Sequence, residues 1–204
     1  MKRNNDLKKV KINNKMTEIP SDWKVKKISD FFTTKNGTLI SQKDIQTAGK
    51  YPVYSATIDD KIVGYIDETK NVLRKDIDIV LPSRGGGMGT PKIPSVDSTS
   101  TQTTITLSSI TKSKAVSNYV RSYLLANQKS LFRDTKGGAI LQINKKDIND
   151  IEIPIPTEES MMDKITELLN TQEKLIQLRK EHLKKEEEKL KILEQSLLSG
   201  RIIC

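Results

Sequence analysis

Cysteine and histidine are almost missing from this chain of 204 residues, which contains one of each, Cys204 and His182. A single cysteine cannot form a disulfide within the chain, so we expect no disulfide framework and a reducing, cytoplasmic compartment. Neither a Cys-His nor a Ser-His catalytic pair can be placed in the first three quarters of the sequence. A zinc cluster of Cys and His ligands is excluded for the same reason.

Long apolar runs are also missing, and no stretch approaches the roughly 20 residues that span a bilayer. We therefore expect no membrane partner. The first 16 residues hold six basic side chains and one acidic side chain. No apolar segment follows them, which is not the pattern of a secretory signal. We predict a solvated basic N-terminal tail over residues 1–16.

The charge is unevenly distributed along the chain. The formal net charge is +9, of which residues 1–16 carry +5. Residues 158–204 hold nine basic and ten acidic side chains, a net of -1, so residues 17–157 carry the remaining +5. A basic domain favours a polyanionic partner, because each phosphate that it neutralises releases counterions. The charge alone does not identify nucleic acid as that partner.

Glycine and proline are absent from residue 157 to residue 199, a stretch rich in Glu, Lys, Leu and Ile. Within it an apolar residue recurs at every seventh position. This a series is Leu169, Ile176, Leu183, Leu190 and Leu197. The repeat predicts one coiled-coil helix over residues 158–199, the arm, about 60 Å long, with Thr157 as its N-cap and a C-terminal tail at 200–204.

The d series of the same heptads is more polar and consists of Ile165, Gln172, Arg179, Glu186 and Leu193. Its polar middle disfavours a tightly sealed parallel zipper and favours an antiparallel neighbour with polar residues of its own. The alternative is a helix packed back on its own domain. The predicted dimerisation residues are Ile165, Leu169, Ile176, Leu183, Leu190, Leu193 and Leu197.

Residues 17–157, the head, show mixed patterns. Strands are predicted over 51–56, 61–66, 77–81 and 103–107, the third of them central. An amphipathic helix is predicted over 114–131, and an extended segment with two prolines precedes the arm. The predicted fold class is therefore α+β: a globular mixed domain followed by one long coiled-coil helix.

A cluster of glycines at 85–89 follows the predicted central strand. It matches neither GxxxxGK[ST] nor a GxGxxG that opens a helix, and Pro91 stops a helix from following. Backbone amides of such a loop can approach phosphates, and Arg84 can bond a guanine edge. The alternative is a plain glycine-rich turn.

A polar run at 98–104 is the other candidate for nucleic-acid contact. Gln pairs with adenine, and Ser and Thr hydroxyls bond phosphates or bases. The predicted DNA-binding residues are Ser83, Arg84, Gly86, Thr90, Lys92, Thr101, Gln102 and Lys136. We expect no catalytic residue, no metal ligand and no cofactor. The chain also lacks the Asn/Asp-Pro-Pro-Tyr/Phe element with which amino-methyltransferases hold a target base.

Several segments, taken in order, resemble the specificity subunit of type I restriction–modification systems. They are IPSDWK at 19–24, YPVYSA at 51–56, IVLPSRG at 79–85, GGAILQIN at 137–144, IEIPIP at 151–156, the heptad arm, and QSLLSGRI at 195–202. The resemblance covers nearly everything after residue 16 and depends on order and spacing rather than on one motif. The chain departs from the family in having one recognition domain and one helix where two of each are usual.

The resemblance implies that residues 17–157 recognise a double-stranded DNA half-site. It also implies that the helix over 158–199 spaces two such domains and docks methyltransferase (modification) subunits. We therefore expect a non-catalytic specificity subunit of half size, paired as an antiparallel homodimer or with a second specificity subunit on a bipartite site. The alternatives are a coiled-coil adaptor without DNA specificity, and the recognition domain of a DNA methyltransferase or nuclease.

Overall fold

The computed structural model of the chain describes residues 6–57, 62–132 and 142–199. The strands in these ranges are β1 (Leu7–Ile12), β2 (Lys15–Pro20), β3 (Lys24–Lys27), β4 (Phe32–Asn36), β5 (Tyr51–Tyr54), β6 (Gly64–Ile66), β7 (Ile79–Pro82), β8 (Thr99–Ser100), β9 (Thr104–Ser109) and β10 (Glu152–Ile155). The α-helices are α1 (Lys114–Ala126), α2 (Gln128–Phe132), α3 (Lys145–Asn149) and α4 (Glu159–Leu198). The chain divides into two compact units, Met1–Lys164 and Ile165–Cys204. The mixture of strands and helices with a long final helix confirms the predicted fold class.

The main sheet has the order β4-β9-β7, with both neighbours antiparallel to β9. The central strand is therefore β9, and the prediction that residues 77–81 form the centre was wrong. A second sheet has the order β6-β5-β8, in which β5 pairs with β6 in antiparallel and with β8 in parallel orientation. The side chains that fill the core include Ile28, Phe32, Ile79, Leu81, Ile105, Leu107, Leu124 and Ile148.

The predicted N-terminal tail is wrong from residue 7 onward, because β1 and β2 form an antiparallel hairpin. Its two-residue turn consists of Asn13 and Asn14, both with positive φ (46° and 66°), a conformation that asparagine tolerates and that suits tight hairpins. Ile12 and Ile19 are buried. Alternating burial in β1 therefore stabilises a strand even where lysine dominates the composition.

The tip of this hairpin is bound to the last strand of the head. The Asn13 backbone amide donates to Glu152 Oε2 at 2.9 Å, and the Asn13 side-chain amide donates to the Glu152 carbonyl at 2.8 Å. In return Glu152 donates its backbone N–H to Asn13 Oδ1 at 2.9 Å. The two residues are 139 positions apart in sequence, so the N-terminal hairpin is fastened to the end of the head.

The predicted helix over 114–131 is interrupted at Asn127 and forms α1 and α2. Ser113 caps α1 by accepting a hydrogen bond from the Val116 amide. The helix is tied to the sheets by two hydroxyls: Ser117 donates to the Ile77 carbonyl and Tyr119 donates to the Pro154 carbonyl, each at 2.6 Å. These bonds place α2 beside the loop that follows β7.

The buried carboxylate of Asp78 fixes the start of β7. It is 1% exposed and accepts hydrogen bonds from the Arg74 guanidinium and from the Ser109 amide, each at 2.8 Å. The same bond raises the pKa of Arg74 above its ordinary value. Because Ser109 ends β9, Asp78 joins the two strands at the end opposite the glycine loop.

The arm begins at Glu159, one residue later than a cap at Thr157 requires. The Thr157 hydroxyl instead donates to the Asp22 carbonyl at 2.6 Å, so the predicted N-cap was wrong. In the single chain, Ile176, Leu183, Leu190, Leu193 and Leu197 are exposed, while Ile165 and Leu169 are half-buried. The described residues contain no helix that is both long and apolar enough to cross a membrane.

Candidate nucleic-acid interface

The glycine loop connects β7 to a segment that returns beside it at Lys92. Val80 and Lys92 exchange two backbone hydrogen bonds, at 2.8 and 2.9 Å, so the chain doubles back on β7. The loop is closed at its base by the Gly89 amide, which donates to the Pro82 carbonyl at 2.9 Å. Gly85 and Gly89 have φ values of 76° and 77°, in the left-handed region that glycine adopts without steric cost. The glycines therefore define a compact loop rather than a phosphate-binding helix start.

Helix α2 supports the loop from one side. Gln128 Nε2 donates to the Met88 carbonyl at 2.7 Å and to Thr90 Oγ1 at 2.9 Å. Gly89 lies against the buried ring of Phe132, where a Cβ would approach Cδ2 to 2.6 Å. The backbone of the loop is thus held in place by side chains that come from about 40 residues further along the chain.

A cluster of hydroxyl groups holds the loop from the other side. Ser83 donates both its backbone N–H and its hydroxyl to the Thr103 carbonyl, at 3.0 and 2.8 Å. The hydroxyls of Thr101 and Thr103 lie 2.7 Å apart, and the Ser55 hydroxyl lies 3.0 and 3.2 Å from them. The end of β5, the start of the loop and the turn at 101–103 therefore form one connected edge.

The predicted site residues take different positions on this edge. Arg84, Gly86 and Gln102 are exposed, whereas Ser83 and Thr101 are buried and their hydroxyls bond to the protein. Thr90 is half-buried under Gln128. The Lys92 side chain is buried, with Nζ 3.5 Å from Thr57 Oγ1. Lys136 lies outside the described residues.

Arg84 and Gln102 are brought together although 18 positions separate them. Each is adjacent in sequence to one partner of the Ser83–Thr103 backbone hydrogen bond. Within the part of the chain that the structure describes, Arg84 has no hydrogen-bond or ion-pair partner, so its five N–H donors are available. The arrangement presents a guanidinium and an amide on neighbouring turns, the two side chains suited to guanine and adenine edges.

A cleft of about 750 Å³ is lined by the hairpin tip, α2 and β10 rather than by Arg84. Its charges are mixed: three lysines face three carboxylates. Lys27 donates to Asp150 at 2.9 Å, and this hydrogen bond lowers the pKa of Asp150. Such a balanced cleft does not favour a polyanion. No group of His, Cys, Asp and Glu able to hold a metal ion is found among the residues described.

These features define an α+β domain with a buttressed glycine loop and an exposed heptad helix. The family model of the type I restriction modification DNA specificity domain matches residues 20–188. The chain belongs to this family, which confirms the resemblance seen in the sequence. A comparison with curated protein sequences finds no match.

Three solved structures share the fold. The S subunit of the type I restriction–modification system from M. genitalium is 20% identical, with a TM-score of 0.63 over 87% of this chain and 45% of that one. The HsdS subunit from Thermoanaerobacter tengcongensis is 17% identical, with a TM-score of 0.65 over 90% and 45%. A chain from a study of assembly and conformational transition of the type I R-M system is 18% identical, with a TM-score of 0.73 over 90% and 46%. The present chain thus spans less than half the length of each.

Proposed function

We propose that this chain is the DNA-recognising subunit of a type I restriction–modification complex, and that it recognises base pairs with the edge that carries Arg84 and Gln102. The observation that carries the proposal is the buttressing of an exposed loop from both sides. A side chain distinguishes bases only if its backbone is held at a fixed distance from the groove. The hydrogen bonds from Gln128 and Ser83 supply that constraint.

The buried members of the predicted set take a supporting role in this proposal. Ser83 and Thr101 shape the edge through their hydroxyl bonds, and Arg84, Gly86 and Gln102 face the duplex. The exposed guanidinium suits a bidentate bond to guanine O6 and N7, and the side-chain amide suits adenine N6 and N7. Thr90 and Lys136 are assigned to the phosphate backbone, which positions a protein without specifying sequence. The buried Lys92 joins the supporting residues.

The arm is proposed to pair with a second copy in antiparallel orientation. Antiparallel coiled coils place an a residue of one helix beside a d residue of the other, and one register satisfies this along the whole arm. It sets Leu169 against Leu193 of the second copy, and Leu197 against Ile165. These apolar layers occur at both ends of the pair by symmetry, while the polar d residues fall between them.

The central layers of this register explain the polar residues. Leu183 lies beside Arg179 of the second copy, and Ile176 lies beside Glu186 of the second copy. Arg179 of one chain is then one layer from Glu186 of the other, and their opposite charges favour this register over shifted ones. A pair with a two-fold axis would recognise inverted half-sites at a fixed separation. A second specificity subunit of similar heptad pattern would serve the same role.

The chain is proposed to perform no reaction itself and to dock methyltransferase subunits in the cytoplasm. Its single histidine and single cysteine, both in the last part of the sequence, support this assignment. Methyl transfer by the chain alone, in the presence of a labelled methyl donor and DNA, would contradict it.

Selection from a random duplex pool tests the recognition function. The intact chain should enrich a two-part inverted motif with a constant spacer. A variant whose arm cannot pair should enrich one half-site only. An unenriched pool with a folded, dimeric protein would favour the adaptor alternative, in which the basic head has no sequence preference.

A further inference from the structure

Leu39 is the most exposed large apolar side chain in the described part of the first unit. Its exposed fraction is 83%, compared with 69% for Met16 and 58% for Leu7. Single exposed apolar side chains are common on protein surfaces and by themselves indicate nothing. Leu39 differs from them in two respects: its backbone is fixed, and it lies at the edge that carries Gln102.

The residue before Leu39 is fixed by three contacts. Thr38 donates its backbone N–H to the Ser100 carbonyl at 2.7 Å and forms a parallel bridge with Thr101. The Thr38 hydroxyl accepts a hydrogen bond from Asn71 Nδ2 at 3.1 Å. Both the backbone and the side chain of Thr38 are therefore held, and the Cα of Leu39 follows directly from them.

The chain around this residue is packed against the same turn. Gly37 donates its backbone N–H to the Thr104 carbonyl at 3.0 Å, and a Cβ at Gly37 would overlap the Thr101 carbonyl. The Thr104 hydroxyl donates to that carbonyl at 2.8 Å, so the turn itself is rigid. Ile40 is half-buried on the other side of Leu39. An exposed aliphatic side chain is thus presented by a backbone with little freedom to move.

Leu39 continues the edge proposed to recognise base pairs. Leu39 and Gln102 directly follow the two members of the parallel bridge, Thr38 and Thr101, and both side chains are exposed. Gln102 in turn is on the turn next to Arg84. The edge therefore carries three exposed side chains of different chemistry: a guanidinium, an amide and an aliphatic group.

Thymine has a feature that only the third of these groups suits. In the major groove of B-DNA, thymine alone among the four bases presents an apolar group, its 5-methyl. Arg84 and Gln102 are suited to hydrogen bonds with guanine and adenine, which do not detect that methyl group. An aliphatic side chain does, because both apolar surfaces leave water when they meet.

We propose that Leu39 contacts the 5-methyl group of a thymine in the recognised half-site and thereby specifies one A·T pair. The proposal rests on the function proposed above, the recognition of base pairs by this edge. Leu39 then supplies the apolar part of the specificity, beside the two side chains that supply its hydrogen bonds.

Deoxyuridine tests this contact, because it lacks the methyl group of thymidine and keeps its hydrogen-bonding groups. The selected site is remade with deoxyuridine at each thymine in turn, and binding of the intact chain is measured by fluorescence anisotropy. At one position the wild type should bind about fourfold more weakly, the change in Kd that corresponds to one methyl group lost from an apolar contact.

The combination with Leu39→Ala gives the decisive measurement. On the thymine site this variant should bind about tenfold more weakly than the wild type, because most of the apolar side chain is removed. Deoxyuridine at the sensitive position should then cause no further loss. A side chain that only supported the fold would not make the two changes non-additive.

Two variants serve as controls, and circular dichroism checks their folding. Leu39→Met retains an apolar side chain of similar volume and should keep most of the response to deoxyuridine. Ile110→Ala removes another exposed aliphatic side chain, 56% exposed, which follows β9 at the end opposite the glycine loop. It should keep both the affinity and the deoxyuridine response of the wild type.

Three results would overturn the contact. They are an equal deoxyuridine effect in the wild type and in Leu39→Ala, a wild type that tolerates deoxyuridine at every position, and a selected site without an A·T pair. A loss in Leu39→Ala that does not depend on the methyl group would instead assign Leu39 to a wedge between base pairs. If Arg84→Ala still relaxes one base pair, the recognition function survives these results. A random pool that is not enriched at all would overturn both.

Discussion

Gly89 and Phe132 are in direct contact across the glycine loop, with no room for a side chain between them. Gly85, in the same loop, has nearly the same φ, but a Cβ there would meet only Ala56, with the carbonyl oxygen at 3.5 Å and Cβ at 3.9 Å. Alanine substitutions at the two glycines therefore distinguish the cost of backbone strain from the cost of steric overlap. Each substitution by alanine costs roughly 1–2 kcal/mol, because alanine disfavours the left-handed backbone conformation.

Gly89→Ala should be the more destabilising of the two by about 1–3 kcal/mol, because it also forces the Phe132 ring out of its site. The free energy of unfolding in urea measures the difference. Phe132→Leu combined with Gly89→Ala should recover part of the loss. Equal destabilisation by the two alanines would show that the loop moves freely away from α2.

Arg84→Ala should weaken binding to the selected DNA site by about 1–3 kcal/mol and relax the preference at one base pair. Binding to random duplex should change less, because the phosphate contacts remain. Fluorescence anisotropy at several salt concentrations measures both. Lys75→Ala is the matched control, since Lys75 is exposed and precedes β7 at the end opposite the loop. An equal loss on both DNAs would assign Arg84 to a phosphate.

Leu190→Asp with Leu193→Asp should raise the dimer Kd at least about a hundredfold, because each chain then places two carboxylates in the seam, one of them against the apolar Leu169 of the second copy. Light scattering should show a monomer whose head retains its circular dichroism. Leu178→Asp with Ile192→Asp is the control pair. Both residues are comparably exposed but occupy c positions away from the seam, so the dimer should persist. Loss of the dimer in both variants would contradict the heptad assignment.

Tyr119 should make the protein less stable at alkaline pH. Burial raises the pKa of Tyr119 above its ordinary value near 10, and the neighbouring Tyr123 adds to the effect. Above pH 10 the unfolded chain loses a proton that the folded chain keeps, so stability falls as pH rises, by up to about 1.4 kcal/mol per pH unit for this group. Tyr119→Phe should flatten the decline in urea unfolding between pH 9 and 11. Parallel declines in the two proteins would contradict this assignment.

The sequence was sufficient wherever a local pattern decided the structure. The seven-residue repeat predicted α4, and the alternation around Val53 and Ile105 predicted β5 and β9. The hairpin at the N-terminus was missed because lysine obscured the alternation that buries Ile12, and because Asn-Asn was not recognised as a tight turn. The order of the main sheet was also out of reach, since pairing depends on contacts between distant strands.

The support of the glycine loop left no signal in the sequence. Gln128 lies in an ordinary amphipathic stretch, and nothing local connects it with Met88, 40 positions earlier. The hydroxyl-rich residues at 98–104 were a candidate for nucleic-acid contact, yet Thr99, Ser100 and Thr104 are buried and their hydroxyls bond to other hydroxyls. Short hydroxyl side chains can hydrogen-bond to one another when they are buried. Composition alone therefore does not distinguish a solvent-exposed edge from a buried one.

The hydrogen bonds between Asn13 and Glu152 have a consequence for folding during synthesis. Strands β1 and β2 can reach their final place only after nearly the whole head has been synthesised, because their anchor is β10, which follows the other described strands in sequence. Contacts of such long range slow folding. A nascent chain interrupted before residue 152 would leave the hairpin without its anchor. The hairpin therefore docks in its native position only when synthesis of the head is complete.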